Sequence, residues 1–175
     1  MDENEAKALA AGPLGENMAK FPLLFAKTVF FGPRPSPERA ADINSGTVTL
    51  ADFGDGPLAI TCQHVISCYR ERRKVEDDMI FQIGHVSLDP LEQLTGKDEH
   101  LDIATIRLTE AQVQEITSTG KIGSCVFRPK VWPSPDPEEG EFIAFGGFPG
   151  KLRTVKSFDE LVFGSWSSGA SKISS

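Results

Sequence analysis

The chain has 175 residues and a mass of 19.0 kDa, room for one medium domain or two small ones on a prior of about one domain per 150 residues, which excludes a repeat array or a large multidomain enzyme. Leu, Ile, Val and Phe supply 46 of the residues, enough to bury a core and to set aside disorder as the reading. The net charge is −7, with 18 basic residues scattered among 25 acidic ones, so the chain lacks the positive stripe a phosphate backbone requires and no nucleic-acid partner is expected.

With 16 Gly and 12 Pro, the composition favours short elements separated by turns, a β-rich fold over a helical bundle. The amino terminus carries Asp2, Glu3 and Glu5, whereas a secretory signal opens basic and continues apolar. The apolar run from Phe21 to Ala26 is interrupted by Pro22 and falls far short of the roughly 20 residues of a membrane helix, so no membrane partner is expected. Three cysteines, Cys62, Cys68 and Cys125, are an odd count without repeated C-x-x-C spacing, which suits a reducing compartment and predicts a cytoplasmic protein.

Residues 2–11 favour helix but are mostly polar or Ala, and Met18, Phe21, Leu24 and Phe25 recur at the spacing of a short docking helix. Gly32-Pro33-Arg34-Pro35-Ser36-Pro37 predicts a linker, because proline lacks the ladder donor and restricts the residue before it. Thr47–Leu50 and Pro57–Thr61 read as two strands joined by the turn-forming residues 52–56, a hairpin. Cys62 to Lys74 reads as a helix with Val65, Ile66 and Tyr69 inward and Arg70, Arg72 and Arg73 outward. Met79–Ile83 and His100–Leu108 read as further strands, and Thr109 with Glu110 opens a capped helical turn over 109–117.

Pro129, Pro133, Pro135 and Pro137 among acidic residues predict a hinge. Beyond it, Glu141–Gly146 and Leu152–Phe158 read as strands around the bend 147–150, and the small, polar segment 163–171 is expected to contribute no closing strand. The chain is accordingly divided into an N-terminal helical extension and Pro-rich linker over 1–42, a first β unit over 43–128, a hinge over 129–137 and the start of a second β unit over 138–175.

Chemistry concentrates in Thr61-Cys62-Gln63-His64-Val65, directly after an apolar strand, and in Leu101-Asp102-Ile103-Ala104, whose carboxylate lies 38 residues after the histidine. A histidine that serves as general base needs one ring nitrogen free and the other held by an acceptor that sets its tautomer. An aspartate within an apolar strand is costly unless hydrogen-bonded, and pairing with His64 accounts for it.

These residues resemble the chymotrypsin-like (trypsin-like) serine peptidases, in particular the intracellular bacterial trypsin-like domains. Thr61–Val65 is similar to the family's T-A-x-H-V/C histidine motif, Leu101–Ala104 to its D-I/L-A aspartate motif, Gly46-Thr47-Val48 to the strand before the histidine, and Ala144–Gly150 to the G-x-P turn opening the second barrel. The resemblance covers about residues 43–158 and implies an all-β, chymotrypsin-like double β-barrel, the first barrel complete and the second partial, with short helices. It also implies a serine endopeptidase acting on protein or peptide substrates, with His64 and Asp102 as catalytic residues and no cofactor or metal. The family's serine follows its aspartate by roughly 90 residues, whereas 73 remain here, and no G-x-S-G-G occurs in the chain. The nucleophile is therefore expected past residue 175, leaving this chain inactive by itself, and self-association through the unfinished second barrel is expected. Ser168-Gly169 imitates the motif without the preceding glycine.

Blander readings accompany each of these residues. His64 also suits a helix-start histidine bonded to a carbonyl, and Asp102 a residue capping neighbouring amides. His85 and His100 lie in turn-like or exposed contexts. Cys62, His64 and Cys68 lack an evident fourth ligand for structural zinc, Arg70–Lys74 suits a solvated helix face, and the glycines at 146–150 suit a hairpin turn more than a phosphate cradle. A non-catalytic β domain binding a protein partner in a multicomponent bacterial system is the alternative function.

Overall fold

A computed structural model describes residues 3–36, 42–120, 122–136, 138, 141–157 and 160–171. Two short helices, α1 (Glu3–Ala11) and α2 (Pro13–Lys20), lead through a 3-10 turn at Phe21–Leu24 into β1 (Ala26–Pro33). Then follow β2 (Asn44–Asp52), β3 (Pro57–Thr61), α3 (Gln63–Arg73), β4 (Met79–Ile83), β5 (Val86–Ser87), β6 (Leu94–Asp98), β7 (Ile103–Arg107) and α4 (Glu110–Thr117). The last part holds β8 (Phe142–Gly147), a 3-10 turn at Gly150–Leu152, β9 (Arg153–Val155), β10 (Leu161–Phe163) and β11 (Trp166–Ser171). The molecule is mostly β with short helices.

Seven strands form one antiparallel sheet in the order β5-β4-β1-β2-β3-β7-β6. Its inner face follows the period of two that a half-buried strand requires: Val29 and Phe31, Val48 and Leu50, Phe81 and Ile83, Ala104 and Ile106 all point into one core, where Val65, Ile66 and Tyr69 of α3 and Val113 and Ile116 of α4 meet them. Phe31, Tyr69 and Phe81 interlock there through edge and stacked ring contacts. Helix α3 touches both β4 and β7, strands separated in the sheet by β1, β2 and β3. The sheet therefore curls around this helix, and among the described residues its edges β5 and β6 do not pair, so it does not close.

The β2–β3 hairpin has the expected turn chemistry. Asp52 Oδ1 accepts the Gly54 and Gly56 amides at 3.0 and 3.3 Å, and both glycines adopt positive φ, 112° and 98°, where a side chain is disfavoured. Helix α4 carries a complete capping box between Thr109 and Gln112.

Several elements depart from the sequence reading. The segment treated as helical extension and linker contains β1, a central strand of the sheet. Thr28-Val29-Phe30-Phe31 is strongly β-forming, and the ladder runs on to Pro33, opposite Met79, because a proline at a strand's last position leaves no essential donor unmade. Second, the strand foreseen from His100 starts only at Ile103: Asp98 Oδ1 takes the amides of His100 and Leu101 at 2.8 and 2.9 Å, folding 98–102 into a turn. Polar β6 supplies the preceding strand, exposed on an edge and hence without an apolar period.

Third, the segment expected to contribute no strand includes β11, which pairs with β8 from Trp166–Gly147 to Ser171–Phe142. Its ladder bonds come from the partner strand, so Ser and Gly do not prevent it. The strand expected over 152–158 is only β9, paired with β10, and Phe158 lies outside the described residues. These two small sheets dock on the large one through Phe148, whose amide donates to Thr47 Oγ1 at 2.8 Å, through the Arg153 guanidinium on the Ile43 carbonyl, and through stacked Phe30 and Phe163. Among the described residues no helix is long and apolar enough to cross a membrane.

Candidate functional site

The site arises where β3 ends and β7 begins. Antiparallel pairing sets Thr61 opposite Ala104, so the chain leaving β3 into α3 passes beside the residues that lead into β7. Thr61 is buried, and its hydroxyl donates to the Thr47 carbonyl at 2.9 Å, tying the junction to β2 at the residue that also receives Phe148.

Helix α3 begins at this junction without a capping side chain of its own: Cys62 is its N-cap and makes no side-chain cap bond. Asp102 does that work from across the junction. Its carbonyl accepts the Gln63 amide at 3.1 Å, and Oδ1 accepts the His64 amide at 2.9 Å, satisfying two of the orphan donors of the helix's first turn. Asp102 has φ of 51°, a left-handed conformation that Asp tolerates better than most residues. That turn directs its carboxylate back over the helix end.

The second carboxylate oxygen, Oδ2, stands 2.7 Å from His64 Nδ1. One oxygen is thus anchored on the backbone of His64 and the other on its ring, so the imidazole is oriented by a group that is itself held in place. With Nδ1 carrying the proton donated to Asp102, Nε2 presents its lone pair. The ring faces solvent, its side chain 70% exposed and that of Asp102 44%, and among the described residues Nε2 has no hydrogen-bond partner. The carboxylate is therefore not the strand-buried one that the sequence predicts. It belongs to a turn, and amide donors rather than burial hold it.

The Cys62 thiol completes the cluster, its sulfur within 4.8 Å of the same carboxylate. Partial desolvation, followed by the Asp102 charge, pushes the thiol's pKa up, so it is a poor nucleophile here. Asp102 moves the other way: the His64 amide first, and then the His64 ring, hold its carboxyl below the usual range, and it is ionised at neutral pH.

The trio Cys62, His64 and Cys68 weighed for zinc does not converge. Cys62, His64 and Asp102 do, with donor atoms all within 4.8 Å of one another, while Cys68 lies exposed farther along α3. Sequence reasoning missed the Cys62–Asp102 contact, although Cys62's place two residues before His64 at a strand-to-helix junction was the available signal. Ser168 is exposed on β11 opposite Phe145, and among the described residues it makes no hydrogen bond to His64. His85 meets Thr119 Oγ1 at 3.3 Å, away from this junction. Three basic residues at the end of α3 are engaged locally: Arg72 with Asp42 and Glu76, Arg73 with Asp89, and the C-cap Lys74 with Glu71.

Comparison with family models, with curated proteins and with solved structures found no match to this chain.

Proposed function

We propose that the chain is part of a trypsin-like serine endopeptidase and that His64 and Asp102 are its general base and the residue that orients it. The observation that supports this reading is the double grip of Asp102, 2.9 Å from the His64 amide and 2.7 Å from Nδ1, with Nε2 open to solvent. In the proposed reaction Nε2 takes the proton of a serine hydroxyl as the oxygen attacks a peptide carbonyl, and the imidazolium then protonates the leaving amine. Ionised Asp102 stabilises the imidazolium and keeps the proton on Nδ1 in the resting tautomer.

The serine in this proposal comes from outside these 175 residues, since they hold no glycine-framed serine motif. On the same reading, the curled seven-stranded sheet is the counterpart of the first barrel and the β8–β11 and β9–β10 pairs belong to the second. The substrate is a protein or peptide.

A second reading has an observation of its own. Ile143, Phe145, Leu152, Val155, Val162 and Trp166, all in the last part of the chain, are large apolar side chains at least 40% exposed, a surface suited to a protein partner without hydrolysis.

Fluorophosphonate labelling of the full open reading frame that contains this chain separates the two. The peptidase reading expects covalent labelling of a serine that disappears in His64→Ala. Absence of labelling in the full reading frame, or labelling indifferent to His64, overturns it and leaves the binding domain.

A further inference from the structure

We propose that Cys62, His64 and Asp102 form a binding site for a thiophilic divalent cation of the zinc type, and that a cation held at His64 Nδ1 excludes the proposed general-base chemistry at Nε2. The three residues offer a thiolate, an imidazole and a carboxylate, a donor set that suits zinc and disfavours magnesium or calcium, which take oxygen ligands. Their donor atoms lie within 4.8 Å of one another. Ligands at about 2.0–2.3 Å from a tetrahedral zinc ion sit roughly 3.3–3.8 Å apart, so the His64–Asp102 pair, now 2.7 Å apart, opens by about 0.6 Å and the widest pair, within 4.8 Å, closes by at most about 1.3 Å to bring this cluster onto one ion. The fourth position falls on the solvent side, where His64 is exposed, and a water fills it. Three protein ligands and one water is the open arrangement of zinc chemistry, as opposed to a closed structural site.

The scaffold is prepared for this in two ways. Cys62 and His64 are separated by one residue at the start of α3, a position fixed by the junction with β3. Asp102 need not leave its place: Oδ1 remains on the His64 amide, 2.9 Å away, and serves as the outer support that orients Oδ2 as ligand.

Three coordinate bonds form and none is redox-active. Cys62 gives its thiol proton to solvent. The proton on His64 transfers through solvent from Nδ1 to Nε2, because Nδ1 must offer its lone pair to the cation. A metal-bound His64 therefore carries its proton on the nitrogen that general-base chemistry needs bare, and occupancy by the cation switches the base off. The binding itself does not depend on the peptidase reading; only this last consequence rests on it.

Titration of the 175-residue protein with Co²⁺ tests the site by a readout independent of hydrolysis. The expected result is saturable binding with the visible bands of tetrahedral cobalt and a near-ultraviolet thiolate-to-cobalt band, all displaced by Zn²⁺. Cys62→Ser removes the thiolate band and His64→Gln weakens Zn²⁺ binding at least tenfold, both proteins retaining the parent circular dichroism, whereas Cys68→Ser and Cys125→Ser change neither. Asp102→Asn is a poorer probe because Asp102 also holds the end of α3. The proposal is overturned by a parent protein that shows no thiolate band at millimolar Co²⁺, by a band that survives Cys62→Ser or vanishes in Cys68→Ser, or by unchanged affinity in His64→Gln.

Discussion

At Asp102 one side chain caps a helix and orients an imidazole, and both tasks share one requirement, an ionised carboxylate. Because donors from His64 lower its pKa, the stabilisation it contributes is fully present above the unfolded value of about 3.9. It is lost as pH falls through the lower folded value. Asp52, lowered first by the Gly54 amide and further by Arg128, behaves with the same sign. Urea denaturation between pH 7 and pH 3 should show stability falling below about pH 4, with a shallower decline in Asp102→Asn. An identical slope in that variant would remove Asp102 from the account. The capping alternative and the base-orienting one, set against each other in the sequence, are compatible in the fold, because each uses a different carboxylate oxygen.

At the scale of elements, helix ends and turns carry legible chemistry. Thr109 with Glu110 announced α4, and the structure adds Gln112 as the other half of a capping box; Thr109→Ala should lower unfolding free energy by about 1 kcal/mol, with the midpoint of urea denaturation shifted and its slope unchanged. Helix α3 was equally legible from Val65, Ile66 and Tyr69, which are buried as their spacing required. Its missing cap was not, since the substitute arrives from Asp102, far along the chain. Strand β6 escaped notice because an exposed edge of polar residues has no period to read. Strand β11 escaped because its identity lies in pairing with β8. At the end of that pairing, a Cβ on Gly147 would stand 2.6 Å from Thr47 Oγ1, so glycine is what lets β8 approach β2 so closely.

Over the whole molecule, the core is unequally distributed. The large sheet with α3 and α4 contains nearly all the fully buried side chains, whereas β8 to β11 keep Ile143, Phe145, Val155 and Trp166 substantially exposed. Exposed apolar faces on short, open sheets favour association, and light scattering after size exclusion is expected to show a dimer or larger species. A monomer at concentrations of tens of micromolar would count against that expectation and against the partner-binding surface alike.

From its sequence alone this protein declared a β-rich chain with a substantial core, a hairpin at 47–61, helices after residues 62 and 109, and one histidine and one aspartate set apart from their neighbours. These follow from local rules: side-chain period, turn residues and caps act over a few positions. The place of β1 inside the sheet, between β4 and β2, the open curl around α3, the pairing of β11 with β8 and the meeting of Cys62, His64 and Asp102 were decided by tertiary structure. Each depends on ladder bonds or contacts between segments distant in sequence, and such partners leave no mark in the local pattern of either segment.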